Sequence, residues 1–407
     1  MANIAKFKAL RPVRDKVHLV ATRPYYSYKK NVLNAKLEDN PYTFLRIINP
    51  EFGNPIKTKP NSNKRFEMVK DRYRDFINKG ILINEESERL YLYRQSSNTN
   101  TCIGVIAGAS VAEYLQKKIK IHEATLSTRE AIFTRYLDIV GYNAEPVLLS
   151  YKGTENTETK LRELIKERPE YEFTTTDLVK HELWVLSIEQ SDDLQTCFKG
   201  INDVYIADGH HRSASSAALF TNKGSLLPKA KYFLAYFVEE SQLNIMAFNR
   251  LIKSLNNLTP IAFIDHLKKL GTVKKIMKGV APEKNHVLNF YIENGWYSLE
   301  INPELIDTKH PVKSLDSNLL TELILKPILG IEDLKTSVDV DFLPGTFNAM
   351  SFELELKKKK YKLGFMLYPS SIEQIKAVAD EGLYMPPKST WVEPKLRSGL
   401  TIYNIHE

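Results

Sequence analysis

Val204-Tyr205-Ile206-Ala207-Asp208-Gly209-His210-His211-Arg212-Ser213-Ala214-Ser215-Ser216-Ala217-Ala218-Leu219 is the stretch on which the reading of this chain turns. Its apolar opening, 204–207, predicts a strand, Asp208 to Arg212 a sharp turn, and the small residues of 213–219 a helix. A strand, turn and helix in that order aim backbone N–H groups and the positive end of a helix dipole at one spot. Gly209 supplies the permissive dihedrals such a turn needs, and Ser213 opens a helix whose small first residues let a ligand approach the backbone. His210, His211 and Arg212 add donors that suit phosphate oxygens, the arginine in bidentate fashion. Asp208 is a candidate magnesium ligand or an orienting partner for a histidine. The competing reading has Asp208 capping the helix and the histidines as ordinary polar residues. Adjacent histidines diverge on most backbones, so chelation of one metal by both is the weaker functional reading.

Outward from this unit the pattern alternates strands and helices. Upstream, 64–79 carries apolar residues at helical spacing before Gly80, and 90–94 with 102–106 reads as a hairpin. Helices are predicted over 111–121 and 128–140, a strand over 146–151, and a charged helix over 160–166. Downstream, strands at 232–238 and 244–248 end near Arg250, read evenly as a substrate contact or a surface arginine. A second α+β segment follows, with helices at 261–270 and 319–325 and strands at 287–291 and 296–301. Lys357-Lys358-Lys359-Lys360 is placed at the tip of a hairpin between 352–356 and 361–368, where a solvated turn outweighs a nucleic-acid patch. The expected organisation is therefore an N-terminal Pro- and Tyr-rich segment with a helix (1–100), a core (101–250) and a C-terminal α+β portion (251–407).

Two further clusters carry chemistry. His122-Glu123-Ala124-Thr125 offers Glu123 as a general base, His122 as its partner and Thr125 as a hydroxyl near a substrate. Thr125 serves equally well as a helix cap, with Thr128 as the rival cap. The Pro-rich tail, 385–399, holds Lys388, Lys395 and Arg397 with the hydroxyls of Ser389, Thr390 and Ser398, a set that matches a polyphosphate clamp. Trp391 in the same tail is read either as a base-stacking platform or as an anchor in the core. Arg46, after Phe44-Leu45, is an even case between surface and site.

Composition bounds these readings. The 407 residues suggest roughly two or three domains, and 43% hydrophobic with 26% charged residues matches a folded globular chain. No apolar run approaches the ~20 residues of a membrane helix, and the N-terminus carries no signal-length apolar stretch, so the chain reads as cytoplasmic. Two cysteines, Cys102 and Cys197, exclude a disulfide framework or a zinc ribbon. There is no G-x-x-x-x-G-K-[ST], no G-x-G-x-x-G after a strand, no H-E-x-x-H and no G-x-S-x-G. The formal charge of +8, spread over a chain of this size, speaks of solubility and weak association rather than of a nucleic-acid partner.

Asp208-Gly209-His210-His211-Arg212 after a strand resembles the signature turn of the ParB/sulfiredoxin superfamily, which includes nucleotide-hydrolysing partition proteins, sulfiredoxin and free-serine kinases. Along its whole length the chain is similar to a bacterial and archaeal domain-of-unknown-function family, numbered one thousand and fifteen. Four blocks carry that likeness: Asn40-Pro41-Tyr42-Thr43-Phe44-Leu45-Arg46, His122-Glu123-Ala124-Thr125, Ile206 to Arg212, and Met385 to Gly399. The resemblance implies a mixed α/β (α+β) fold: a ParB/sulfiredoxin-like core with a C-terminal α+β extension. It implies a phosphotransferase using ATP or ADP with Mg²⁺ on the hydroxyl of a small metabolite, with free L-serine the leading acceptor. In that scheme the histidine turn holds the transferred phosphate and Glu123 deprotonates the hydroxyl. One departure stands out: the family's Pro-Tyr-Asp is Pro24-Tyr25-Tyr26-Ser27 here, so Tyr26 replaces an aspartate. Two other readings stay open: a non-catalytic ParB-like regulator binding nucleotide or nucleic acid, and a metal-dependent hydrolase using His122, His210 and His211.

Overall fold

A computed structural model of the chain describes residues 3–406 and has a mixed α/β fold. The chain divides into two compact units. The first comprises residues 1–121, 125–243 and 394–407; the second comprises 122–124 and 244–393.

The first unit is built on a nine-stranded mixed sheet. Its backbone order runs Ile119–Lys120, Val204–Asp208, Val147–Tyr151, Tyr232–Glu239, Thr101–Ser110, Tyr91–Ser96, Lys180–Val185 and Tyr171–Thr174, with Ile4–Ala5 added on Thr101–Ser110. Val204–Asp208 runs antiparallel to Val147–Tyr151, which in turn runs parallel to Tyr232–Glu239. The predicted hairpin forms, with Tyr91 opposite Ile106 and Ser96 opposite Thr101. The central strands are almost continuously buried, as expected where both faces are covered, and Val105, Leu149, Ile206 and Ala235 sit in one apolar cluster. A four-stranded sheet completes the unit: Leu82–Asn84, Ala9–Pro12, Ile402–Asn404 and Tyr142–Asn143, the third of these coming from the C-terminal end of the chain. Helix Asn63–Asn78, whose first turn is closed by the Ser62 side chain on the Arg65 N–H, lays Phe66, Val69, Tyr73 and Phe76 into the core beside it.

The second unit carries a seven-stranded sheet, antiparallel throughout its described pairs. Asn244–Ile252 is its organising strand. Its C-terminal half pairs with Val340–Pro344 and Leu363–Met366, and its N-terminal half with Thr390–Glu393.

The helix expected over 111–121 ends at Leu115, and Ile119–Lys120 is instead a strand paired with Val204–Asp208. Two further local expectations need correction. Residues 349–359 form a helix, not the first strand of a hairpin, and the tetralysine lies in its last turn and C-cap. Phe352, Leu354 and Leu356 read as period two, but Leu354 is exposed while Phe352 and Leu356, four residues apart, are buried on one face. Cations there complement the negative end of the helix dipole, and Lys360 closes the helix at φ 58°. The other correction concerns the helix after Gly209. It begins at His210, not Ser213, so both histidines and Arg212 belong to its first turn.

Candidate functional site

The histidine turn lies wholly in the first unit. Strand Val204–Asp208 shifts register between Ile206 and Asp208, which re-aims Asp208 at the strand end. Gly209 then takes φ 106°, a conformation that only glycine adopts without strain, and its carbonyl accepts from the N–H groups of Arg212 and Ser213. The serines of helix His210–Lys223 turn inward: Ser213 Oγ donates to the His210 carbonyl at 3.0 Å, Ser215 Oγ to His211 at 2.8 Å and Ser216 Oγ to Arg212 at 2.9 Å. Their small size lets the helix pack closely, and Ser213 is fully buried.

Around Asp208 two cations meet two carboxylates. Lys395 Nζ is 3.1 Å from Asp208 Oδ2, and Arg212 Nη2 is 3.8 Å from the same oxygen. Arg212 Nη1 also pairs with Glu145 Oε1 at 2.8 Å and donates to the Pro146 carbonyl. Burial pushes the Asp208 carboxyl up, but Lys395 and Arg212 outweigh it and hold it down to about 2. His210 is buried, which lowers its pKa to about 4 against the pull of Asp208, so it is neutral at physiological pH. His211 sets its ring edge-on to Phe133. Tyr26 is 59% exposed, and partial desolvation of its phenol, together with the nearby charges of Asp208 and Glu145, raises its pKa. Tyr26 therefore faces the same carboxylate pair.

Beside this turn, the tail residues Arg397 and Ser398 are tied down. Ser398 Oγ donates to Glu145 Oε2 at 3.2 Å, and its backbone bridges to Thr22. Arg397, 5% exposed, donates through Nε to His181 Nε2 at 3.2 Å and through Nη2 to both oxygens of Asp177 at 3.0 and 2.9 Å. His181 is stacked between Phe173 and Tyr93, with its Nδ1 2.7 Å from the Tyr93 hydroxyl. Because Arg397 donates to Nε2, Nδ1 carries the proton of the neutral ring.

Thr125 also belongs to the first unit. Its hydroxyl donates to Glu130 Oε2 at 3.2 Å, and helix Ser127–Val140 starts without a side-chain cap, so Thr125 does not cap it. Arg46 Nε donates to the Leu37 carbonyl.

The remaining candidates lie in the second unit. His122 is buried, with its carbonyl accepting from the Met385 N–H, and Glu123 is half-buried. Ser389 Oγ donates to the Pro386 carbonyl at 2.7 Å and lies 2.9 Å from Ser317 Oγ. Thr390 and Trp391 are in strand Thr390–Glu393, and Trp391 packs edge-on against Phe248 while its indole N–H donates to Glu393. Lys388 lies over the Phe248 ring, and Arg250 is wholly buried.

Glu145, Asp177 and His181 join Tyr26 in the first-unit clusters, although the sequence pointed to none of those three as partners. Glu145 precedes Pro146 and Asp177 sits in a polar stretch, so neither stands out by period or motif. Among the described residues no group of three or more His, Cys, Asp or Glu is arranged to hold a metal ion.

A mixed α/β chain with this strand–glycine–helix turn is what the structure defines. The chain belongs to the family described as Protein of unknown function (DUF1015), whose model matches residues 4–318. No curated protein matches it. Among solved structures it is similar to a mutant free serine kinase in complex with AMP, at 12% identity, TM-score 0.39, and coverage of 74% of this chain and 92% of that one. A conserved hypothetical protein from Pyrococcus furiosus matches at 14% identity and TM-score 0.37 over 74% of this chain and 95% of that one. C-terminally truncated SbnI from Staphylococcus aureus matches at 12% identity and TM-score 0.36 over 72% and 85%. No helix among the described residues is long and apolar enough to cross a membrane.

Proposed function

We propose that this protein is a nucleotide-dependent phosphotransferase acting on the hydroxyl of a small metabolite, with free L-serine the first acceptor to try. The observation that carries the reading is Asp208, held ionised by Lys395 and Arg212 where Gly209 opens the helix that bears His210 and His211. Phosphoryl transfer asks a protein mainly for positioning and charge stabilisation, and this cluster offers both. Among the described residues, the ion pairs of Asp208 with Arg212 and Lys395 both fall on Oδ2, and Glu145 adds a second carboxylate through Arg212. Two carboxylates suit Mg²⁺, which takes one or two from a protein and the rest of its shell from water and phosphates. Asp208 and Glu145 would hold that ion, which would supply positive charge to neutralise the phosphates. Arg212 and Lys395, released from the carboxylates, turn to the phosphates, and His210 stands beside them as a neutral ring.

The test is incubation of the full chain with ATP or ADP, Mg²⁺ and a panel of hydroxylated amino acids, read by phosphorus NMR for a phosphomonoester. Product from the native protein, reduced at least ~100-fold by Asp208→Asn, is the expected result, on the scale of losing one preorganised charged group at a reacting phosphate. Intact nucleotide and no product with every acceptor would overturn the reading.

A further inference from the structure

Arg250 lies in strand Asn244–Ile252 of the second unit and is 0% exposed. Among the described residues its surroundings supply carbonyls and a ring and no ion-pair partner. Nη1 donates to the Phe248 carbonyl at 2.7 Å, Nη2 reaches the Pro387 carbonyl only at 3.4 Å, and the Phe342 ring centre is 4.7 Å from the guanidinium carbon. Nε, although buried, has no hydrogen-bond partner among the described residues. Burial alone lowers the group to about 9, with no neighbouring charge entering, so it remains a cation at physiological pH. A buried cation without a partner is costly, and the ordinary remedy is an anion.

The two under-used nitrogens are the informative ones. Nε and Nη2 form the side-on edge of a guanidinium, the edge that receives two oxygens of a carboxylate or phosphate in parallel. Next to Pro387 stands an independent second feature. Lys388 is held at φ 57°, a left-handed conformation that strains a residue with a side chain, and its ammonium lies 5.0 Å over the Phe248 ring. Lys388 is exposed and makes no ion pair among the described residues. The segment is not slack: Ser389, the next residue, is buried and fixed by its bonds to Pro386 and Ser317. Strain in a fixed segment beside an uncompensated buried charge is the mark of a built site.

We propose that Arg250 and Lys388 form an anion-binding site in the second unit, taking the carboxylate or phosphate group of a small ligand. The oxyanion sits on the Nε–Nη2 edge of Arg250 in place of the long Pro387 contact, and Lys388 closes over it from the solvent side. The site stands apart from the phosphotransfer reading and does not rest on it.

Thermal unfolding of the full chain in sodium phosphate, sodium acetate and sodium chloride at matched ionic strength tests this. The apparent affinity follows from the concentration dependence of the midpoint. Phosphate or acetate should raise the midpoint above chloride, and whichever anion does so names the ligand's charged group. Arg250→Met and Lys388→Gly should each weaken that anion's apparent affinity at least tenfold; the glycine also removes the left-handed strain, so this variant keeps its fold. Absence of any stabilisation beyond chloride would overturn the proposal. So would an unchanged affinity in Lys388→Gly, which decides the matter alone if Arg250→Met does not fold.

Discussion

His181 offers the sharpest test of how the first unit is held together. Its ring is buried among Tyr93, Phe173 and the Arg397 guanidinium, and burial followed by the Arg397 charge lowers its pKa from 6.5 to about 3. The folded state therefore keeps the ring neutral over a range where the unfolded chain would protonate it. Between those two pH values the unfolded state binds the extra proton, so stability falls as pH falls, and the loss is complete only near pH 3. The slope for one such group is about 1.4 kcal/mol per pH unit, so about 2 kcal/mol is lost on going from neutral pH to about pH 5. That is a large part of an ordinary domain's stability. His181→Gln keeps an acceptor for Arg397 and a donor for Tyr93 while removing the titration. Urea unfolding at pH 7.5 and 5.0 should show the native protein losing about 2 kcal/mol more than the variant over this interval. His210, lowered to about 4 by its own burial, adds an acid-sensitive slope of the same sign to both proteins and cancels in the difference. Equal losses within about 0.5 kcal/mol would refute the account of a buried, obligatorily neutral imidazole.

Two other outcomes follow from the turn itself. Gly209→Ala puts a Cβ at φ 106° and 3.0 Å from Arg212 Nη2, so it should cost about 1–3 kcal/mol; an unchanged urea midpoint would show that the left-handed cap is not required. Tyr26→Asp places a third carboxylate beside Asp208 and Glu145 and should tighten Mn²⁺ binding about tenfold, some 1.4 kcal/mol, by electron paramagnetic resonance. No change in Mn²⁺ affinity would mean that Tyr26 does not share the carboxylate pair's field.

Much of the fold was legible because long apolar segments have an unambiguous period. Val147–Tyr151, Tyr232–Glu239 and Asn63–Asn78 lie within a residue or two of the expected bounds, since burial on a sheet or along one helix face fixes them. Phe352-Glu353-Leu354-Glu355-Leu356 failed for the opposite reason: five residues fit period two and period four alike, and packing of Phe352 and Leu356 decided between them. The helix start at His210 was obscured because a left-handed glycine before a helix and a glycine within a loop look the same in sequence. The candidate site was half legible. Its cations stand out as Asp-Gly-His-His-Arg and a Pro-rich basic tail, whereas the acids that pair with them, Glu145 and Asp177, are single residues brought in by the fold. Sequence spacing carries no trace of such long-range pairs.

The cations themselves fall into two electrostatic kinds, and the net charge of +8 conceals the difference. Arg212 and Lys395 stand against Asp208 and Glu145, two positive groups on two negative ones, and Arg397 stands against Asp177. A free phosphate arriving at the histidine turn meets carboxylates as well as cations, so it gains little until a divalent ion engages those carboxylates. A magnesium–nucleotide complex brings both charges together and suits that arrangement better than either component alone. Among the described residues Arg250 pairs with no carboxylate, so at the proposed site a bare anion would satisfy it directly. Inorganic phosphate without metal should thus report on Arg250 and leave the histidine turn silent, while added Mg²⁺ should matter only where nucleotide is present. A phosphate response that persists in Arg250→Met and requires Mg²⁺ would reverse that assignment and place the anion at Asp208.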